Sequence, residues 1–110
     1  MQITSLSRLV QQHLIIAREA SSGRSAYTVY GGHEHALRQT LIALARDRHL
    51  DDHETPGEAT LHVLHGMVRL TSGDSAWDAT PGDHLVIPPG RHGLEALEDT
   101  VVLLTVAVHA

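Results

Sequence analysis

The chain of 110 residues has no cysteine, no phenylalanine, one tryptophan and two tyrosines. Without cysteine, neither a disulfide framework nor a thiolate metal site can form. That absence fits a reducing, cytoplasmic setting. With so few aromatic rings, the core is expected to be aliphatic. Basic residues are also scarce: 8 Lys and Arg stand against 13 Asp and Glu, for a net charge of -5. No nucleic-acid partner is expected, because the basic footprint it needs is missing. No apolar run approaches the ~20 residues of a membrane-spanning helix, so no membrane association is expected. The opening segment, MQITSLSRLVQQHLIIAREA, has no charged region leading into an apolar core, so no signal peptide is expected. The length suits a single domain with one core.

What the chain has in abundance is histidine, with 10 scattered along it. Histidine is the side chain most used for metal binding and for proton transfer near neutral pH. No nucleophile constellation, phosphate-binding glycine loop or basic stripe accompanies it.

Residues 5 to 20 read as an amphipathic helix. Leu6, Leu9, Val10, His13, Ala17 and Ala20 recur at helical steps, Thr4 or Ser5 can cap the start, and Ser21-Ser22-Gly23 ends it. Such a helix is expected to cover one face or opening of a sheet. The periodicity then becomes strand-like over 26–30, 37–45, 59–65, 67–71, 75–79, 84–87, 93–97 and 100–108. Turn residues stand between these segments, as in Ser72-Gly73-Asp74, Pro81-Gly82-Asp83 and Pro88-Pro89-Gly90. Short strands without intervening helices predict an all-β antiparallel sandwich or barrel. Residues 1–25 form a helical arm and 26–110 the barrel, within one structural domain. The last strand, apolar on both faces, belongs in the middle of a sheet or under a partner.

Two segments carry a family pattern. Gly82, Pro88 and Gly90 keep the spacing of Gly, five residues, Pro, one residue, Gly, with His92 one place short of the histidine that should follow. Upstream, His53, Pro56, Gly57, Val63, Leu64 and Gly66 fit a second motif, in which Thr55 replaces a histidine and Ala59 a glutamate. The chain resembles the cupins, over roughly residues 37 to 108. The resemblance implies a double-stranded β-helix (the cupin jelly roll) with an N-terminal α-helix, and a homodimer. It also implies a divalent transition metal (Fe, Ni, Cu, Mn or Zn), held in most cupins by three histidines and a glutamate. The reading that follows is a metal-binding cupin that takes a small-molecule ligand in the barrel, with oxygenase, isomerase or cyclase chemistry. The alternative is a metal-free small-ligand-binding cupin without catalysis.

His53, His62 and His92 are the expected metal ligands. His62 depends on strand geometry. In a regular strand that turns Ala59 inward it points outward, whereas a bulge after Pro56-Gly57 would bring Glu58 and His62 inward together. Arg38, Glu58, His84 and Trp77 are the expected substrate-binding residues. Each has a plainer role open to it: an ion pair for Arg38, solvent for Glu58 and His84, core packing for Trp77 and for Tyr27. His33 and His35 have a same-face spacing but follow two glycines, which favours a surface turn over a metal site. His13 is expected to pack on the helix's apolar face, and His49, His65 and His109 to lie in loop, turn and tail.

Overall fold

The computed structural model describes residues 1–55 and 57–108. Helix α1 (Leu6–Glu19) precedes the strands β1 (Arg24–Tyr30), β2 (Leu37–Leu44), β3 (His49–Glu54), β4 (Glu58–His65), β5 (Val68–Ser72), β6 (Ser75–Ala79), β7 (His84–Val86), β8 (Arg91–Ala96) and β9 (Thr100–Ala107). The strands form two antiparallel sheets, one ordered β1-β2-β9-β4-β7 and the other β3-β8-β5-β6. This is the all-β double-layered barrel with an N-terminal helix that the sequence predicts.

The core between the sheets is aliphatic. Leu44, Ala59, Leu61, Val63 and Val102 of the larger sheet meet Val68, Leu70, Ala79, Leu94 and Ala96 of the smaller one. Each buried leucine contributes roughly 1.5–3 kcal/mol. A second cluster lies on the outer face of the larger sheet, where Leu9, Leu14 and Ala17 of α1 pack on Leu41, Ala43 and Val101. Strand alternation divides β2 and β9 between these clusters: Leu41 and Ala43 face the helix while Leu44 faces the barrel, and Val101 and Val102 divide likewise. This is why β9 is apolar on both faces. It lies at the centre of its sheet, between β2 and β4.

Ser5 caps α1, its side chain accepting a hydrogen bond from the Arg8 N–H at 3.3 Å. His13 is buried on the helix's inner face, where its Nδ1 pairs with the Ser25 hydroxyl. Asp99 ties the helix end to the β8–β9 turn. It accepts from Arg18 Nε at 2.6 Å and from the Arg46 N–H at 2.9 Å. Gly66 turns β4 into β5 at φ 82°, and a side chain there would strike the Asp99 carbonyl and Thr100.

One strand escaped the sequence reading. β3, His-Leu-Asp-Asp-His-Glu, is charged and almost wholly exposed. It edges the smaller sheet, so no apolar alternation marks it. Its pairing with β8 is written only in the tertiary structure.

Candidate functional site

β3 builds the centre of the site. Leu50 pairs with Leu94 and His53 with His92, so three steps along β3 match two along β8. The extra residue is a bulge, and it rotates β3 by half a period. In a regular strand Asp52 would share the inner face with Leu50. With the bulge, His53 takes that place opposite His92. The β8 residue facing the bulge is Gly93. A Cβ there would lie 2.5 Å from Asp52 Oδ1 and 3.1 Å from the Leu50 carbonyl oxygen, so glycine leaves the bulge its room.

The His53 and His92 rings stand 4.8 Å apart at 49°. His53 is exposed. Its Nδ1 lies 3.1 Å from the Asp51 carbonyl, which can only accept, so Nδ1 carries the proton and Nε2 the free lone pair. His92 is 2% exposed. Its Nε2 approaches the Thr55 hydroxyl at 3.5 Å, and its Nδ1 is buried without a hydrogen-bond partner. Burial, then the proximity of His53, hold the His92 pKa below its ordinary 6.5; the Gly90 carbonyl, which does not reach hydrogen-bond geometry with the ring, and Asp52 oppose them. His92 is therefore a neutral imidazole at neutral pH.

A cavity of about 450 Å³ opens next to this pair. Its walls include Thr55, Glu58, Ala59, Thr60, Ile87 and Pro88. Neither imidazole is part of the wall. Thr55 is the link, lining the cavity and touching His92 behind it. A smaller groove of about 340 Å³ adjoins it, lined by Leu70, Trp77, Leu85, Val86 and Pro88. Val86 and Pro88 border both spaces.

The structure therefore brings His53 and His92 together, but not His62. β4 pairs with β9 without irregularity from Glu58 to Val63. Alternation therefore holds, with Ala59, Leu61 and Val63 in the core and Glu58 and His62 exposed. The bulge considered after Gly57 lies instead in β3. His84 is exposed beside His62, its direct partner across β4 and β7. Glu58 borders the cavity from the rim. Arg38 makes no ion pair among the described residues; its Nε donates to the Gly32 carbonyl at 3.1 Å, bracing the loop before β2. Trp77 is half-exposed in the smaller groove rather than in the core. His33 and His35 are exposed in the β1–β2 loop, and the His35 ring meets Tyr30 edge-on. His49 is exposed beside Asp51, and lies on β3 rather than in a loop. His109 lies outside the described residues.

The sequence reading missed Thr55 as the contact between imidazole and cavity, and Gly93 as the residue that admits the bulge. A histidine followed directly by glycine, opposite Asp-Asp-His, is the only local trace of that arrangement.

A divalent ion with the donor set implied above does not fit these residues. The described residues contain no group of three or more His, Asp or Glu side chains able to hold one. Ala59 faces the core at 6% exposure, where the carboxylate would stand. Thr55 replaces one histidine, and His62 is on the opposite face of its sheet.

No family model matches the sequence, and no curated protein matches it. Solved structures do. A conserved protein of unknown function from Streptococcus pyogenes superposes with a TM-score of 0.73, at 24% identity, over 83% of this chain and 79% of its own. A cupin superfamily protein from Desulfitobacterium hafniense gives 0.72 at 17% identity, over 78% of each chain. An RmlC-like cupin from Desulfovibrio desulfuricans gives 0.67 at 26% identity, over 76% of this chain and 81% of its own. Among the described residues no helix is long and apolar enough to cross a membrane. Strand order, facing sheets and these likenesses agree, and by its fold this chain is a member of the cupin superfamily.

Proposed function

We propose that this cupin domain binds a small organic molecule in the cavity beside Thr55, without a resident metal. The observation that carries the reading is Ala59, turned into the core at 6% exposure in the place of the implied carboxylate. A volume of about 450 Å³ lies within the range of small-ligand sites. Ala59, Ile87 and Pro88 offer the ligand an apolar bed, and Thr55 and Thr60 offer hydroxyls. Behind Thr55, the neutral imidazole of His92 orients that hydroxyl without adding charge. With the Glu58 carboxylate at the rim, the ligand that suits such a wall carries no negative charge and has an apolar body with one hydrogen-bonding edge.

A second reading is metal-dependent. In it a divalent ion (Fe, Ni, Cu, Mn or Zn) joins His53 and His92, with oxygenase, isomerase or cyclase chemistry. The closeness of the two rings and the unpartnered His92 Nδ1 favour it. The lack of a third and fourth ligand among the described residues weighs against it.

A homodimer belongs to the proposal as well. β1 is an edge strand, and Tyr27, Tyr30 and Leu37 are exposed on or beside it.

Elemental analysis of untagged protein, with His53→Ala and His92→Ala variants alongside, separates the two site readings. Metal at stoichiometric level that both variants lose would sink the metal-free one. The metal-free reading expects no metal dependent on these residues. It also expects an organic molecule, released on denaturation and seen by mass spectrometry, whose retention falls in Ile87→Glu.

A further inference from the structure

We propose a second site, with ligands distinct from those of the first: His62 and His84 form a two-imidazole chelate for a late first-row divalent ion, Cu2+ foremost, on the outer face of the larger sheet. The two residues are direct partners across β4 and β7. The kind of pairing matters. The Val63 N–H donates to the Asp83 carbonyl at 3.0 Å, and the Ile87 N–H to the Ala59 carbonyl at 3.0 Å. Odd-numbered β4 residues are thus the hydrogen-bonded partners of β7, and His62 with His84 is a non-hydrogen-bonded pair. In that class the side chains approach most closely, with Cβ atoms about 4.5–5.5 Å apart. The sheet holds both Cβ atoms in place, and both side chains project from the same face.

The ring nitrogens are available. Neither imidazole makes a hydrogen bond or ion pair among the described residues, and both rings are exposed. The barrel pair is less open. There His53 Nδ1 is engaged with Asp51, His92 Nε2 faces Thr55, and the His92 ring is buried away from the water that would complete a coordination shell. On the outer face, water fills the remaining positions. By register the neighbours of the pair are Thr60, Leu103 and Val86, with Leu64 two places along β4; none is charged, so no fixed cation repels the ion. Imidazole suits the later metals of the series, and among them Cu2+ binds most tightly. Among the described residues no third protein ligand joins the pair. The ion is therefore exchangeable, not a permanent part of the fold.

The test is a Cu2+ titration of the metal-stripped protein, followed by calorimetry and electron paramagnetic resonance. The parent and the variants His62→Ala, His84→Ala, His53→Ala, His92→Ala and the double variant His33→Ala/His35→Ala are compared. The parent is expected to bind a single Cu2+ with a two-nitrogen hyperfine pattern. Losing even an outer-shell partner costs a metal site roughly 10–100-fold, so loss of either proposed ligand should weaken binding at least ~10-fold. The barrel and loop variants should bind as the parent does. Circular dichroism checks that the two surface variants remain folded. Absence of Cu2+ binding by the parent overturns the proposal. So does parental affinity in His62→Ala and His84→Ala, or a loss that follows the barrel or loop histidines instead. Thr60 and Val86 border both this pair and the cavity, but the two sites share no proposed metal ligand, so each proposal can fail without the other.

Discussion

His92→Leu is expected to make the protein more stable while impairing the barrel site. The His92 ring is 2% exposed and leaves Nδ1 without a partner. A buried polar atom in that state costs about 1–3 kcal/mol, which an apolar side chain of similar volume recovers. Imperfect fit of the leucine takes back up to ~1.5 kcal/mol. The net expectation is about 1 kcal/mol of added stability, or a rise in Tm of roughly 4 °C for a domain of this size. The pH dependence gives an independent readout. Since the His92 pKa lies below 6.5 in the folded state, the unfolded chain binds the proton more readily. The stability this contributes is fully present above 6.5 and is lost as pH falls from there through the folded pKa. His92→Leu should remove that acid-side loss. Urea denaturation of ligand-stripped parent and variant, on both sides of 6.5, measures both effects. A variant less stable than the parent by over ~1 kcal/mol would refute the reasoning, because His92 would then be a satisfied structural residue. An acid-side loss unchanged in the variant would refute it as well.

Gly93→Ala should disturb the bulge, since its Cβ would press on Asp52 and on the Leu50 carbonyl at 3.1 Å. A cost of roughly 1–3 kcal/mol in urea denaturation is expected, together with shifted His53 and His92 ring resonances. Unchanged resonances would mean that the bulge does not depend on glycine. Asp99→Asn should cost about 0.5–1 kcal/mol, because the pair with Arg18 is part-exposed and salt-screened. Arg18, then the Arg46 N–H, hold the Asp99 pKa below its ordinary 3.8. Its contribution is therefore present above 3.8 and lost as pH falls through the lower folded value, so parent and variant melts should converge in acid.

Much of the fold could be read from the chain alone. Alternation and turn residues mark most of the strands. Helical spacing with a Thr4 or Ser5 cap and Gly23 marks α1, and the doubly apolar run from Thr100 marks a strand in the middle of a sheet or under a partner. These signals are local, because burial imposes its period on every element that faces a core. β3 gave no such signal: an edge strand with solvated side chains imposes no period, so nothing in His-Leu-Asp-Asp-His-Glu distinguishes it from a loop.

The candidate site divides in the same way. The sequence by itself determined that the protein is histidine-rich, aliphatic in its core and free of thiols. It also determined that Thr55 and Ala59 stand where a histidine and a carboxylate are implied. Only the tertiary structure decided which histidines meet. One residue of slip turns every side chain of a strand to the other face. A bulge in β3 carried His53 inward to His92, while the regular pairing of β4 kept His62 outside with His84. Strand register depends on partners distant in the chain, so spacing within one segment does not encode it.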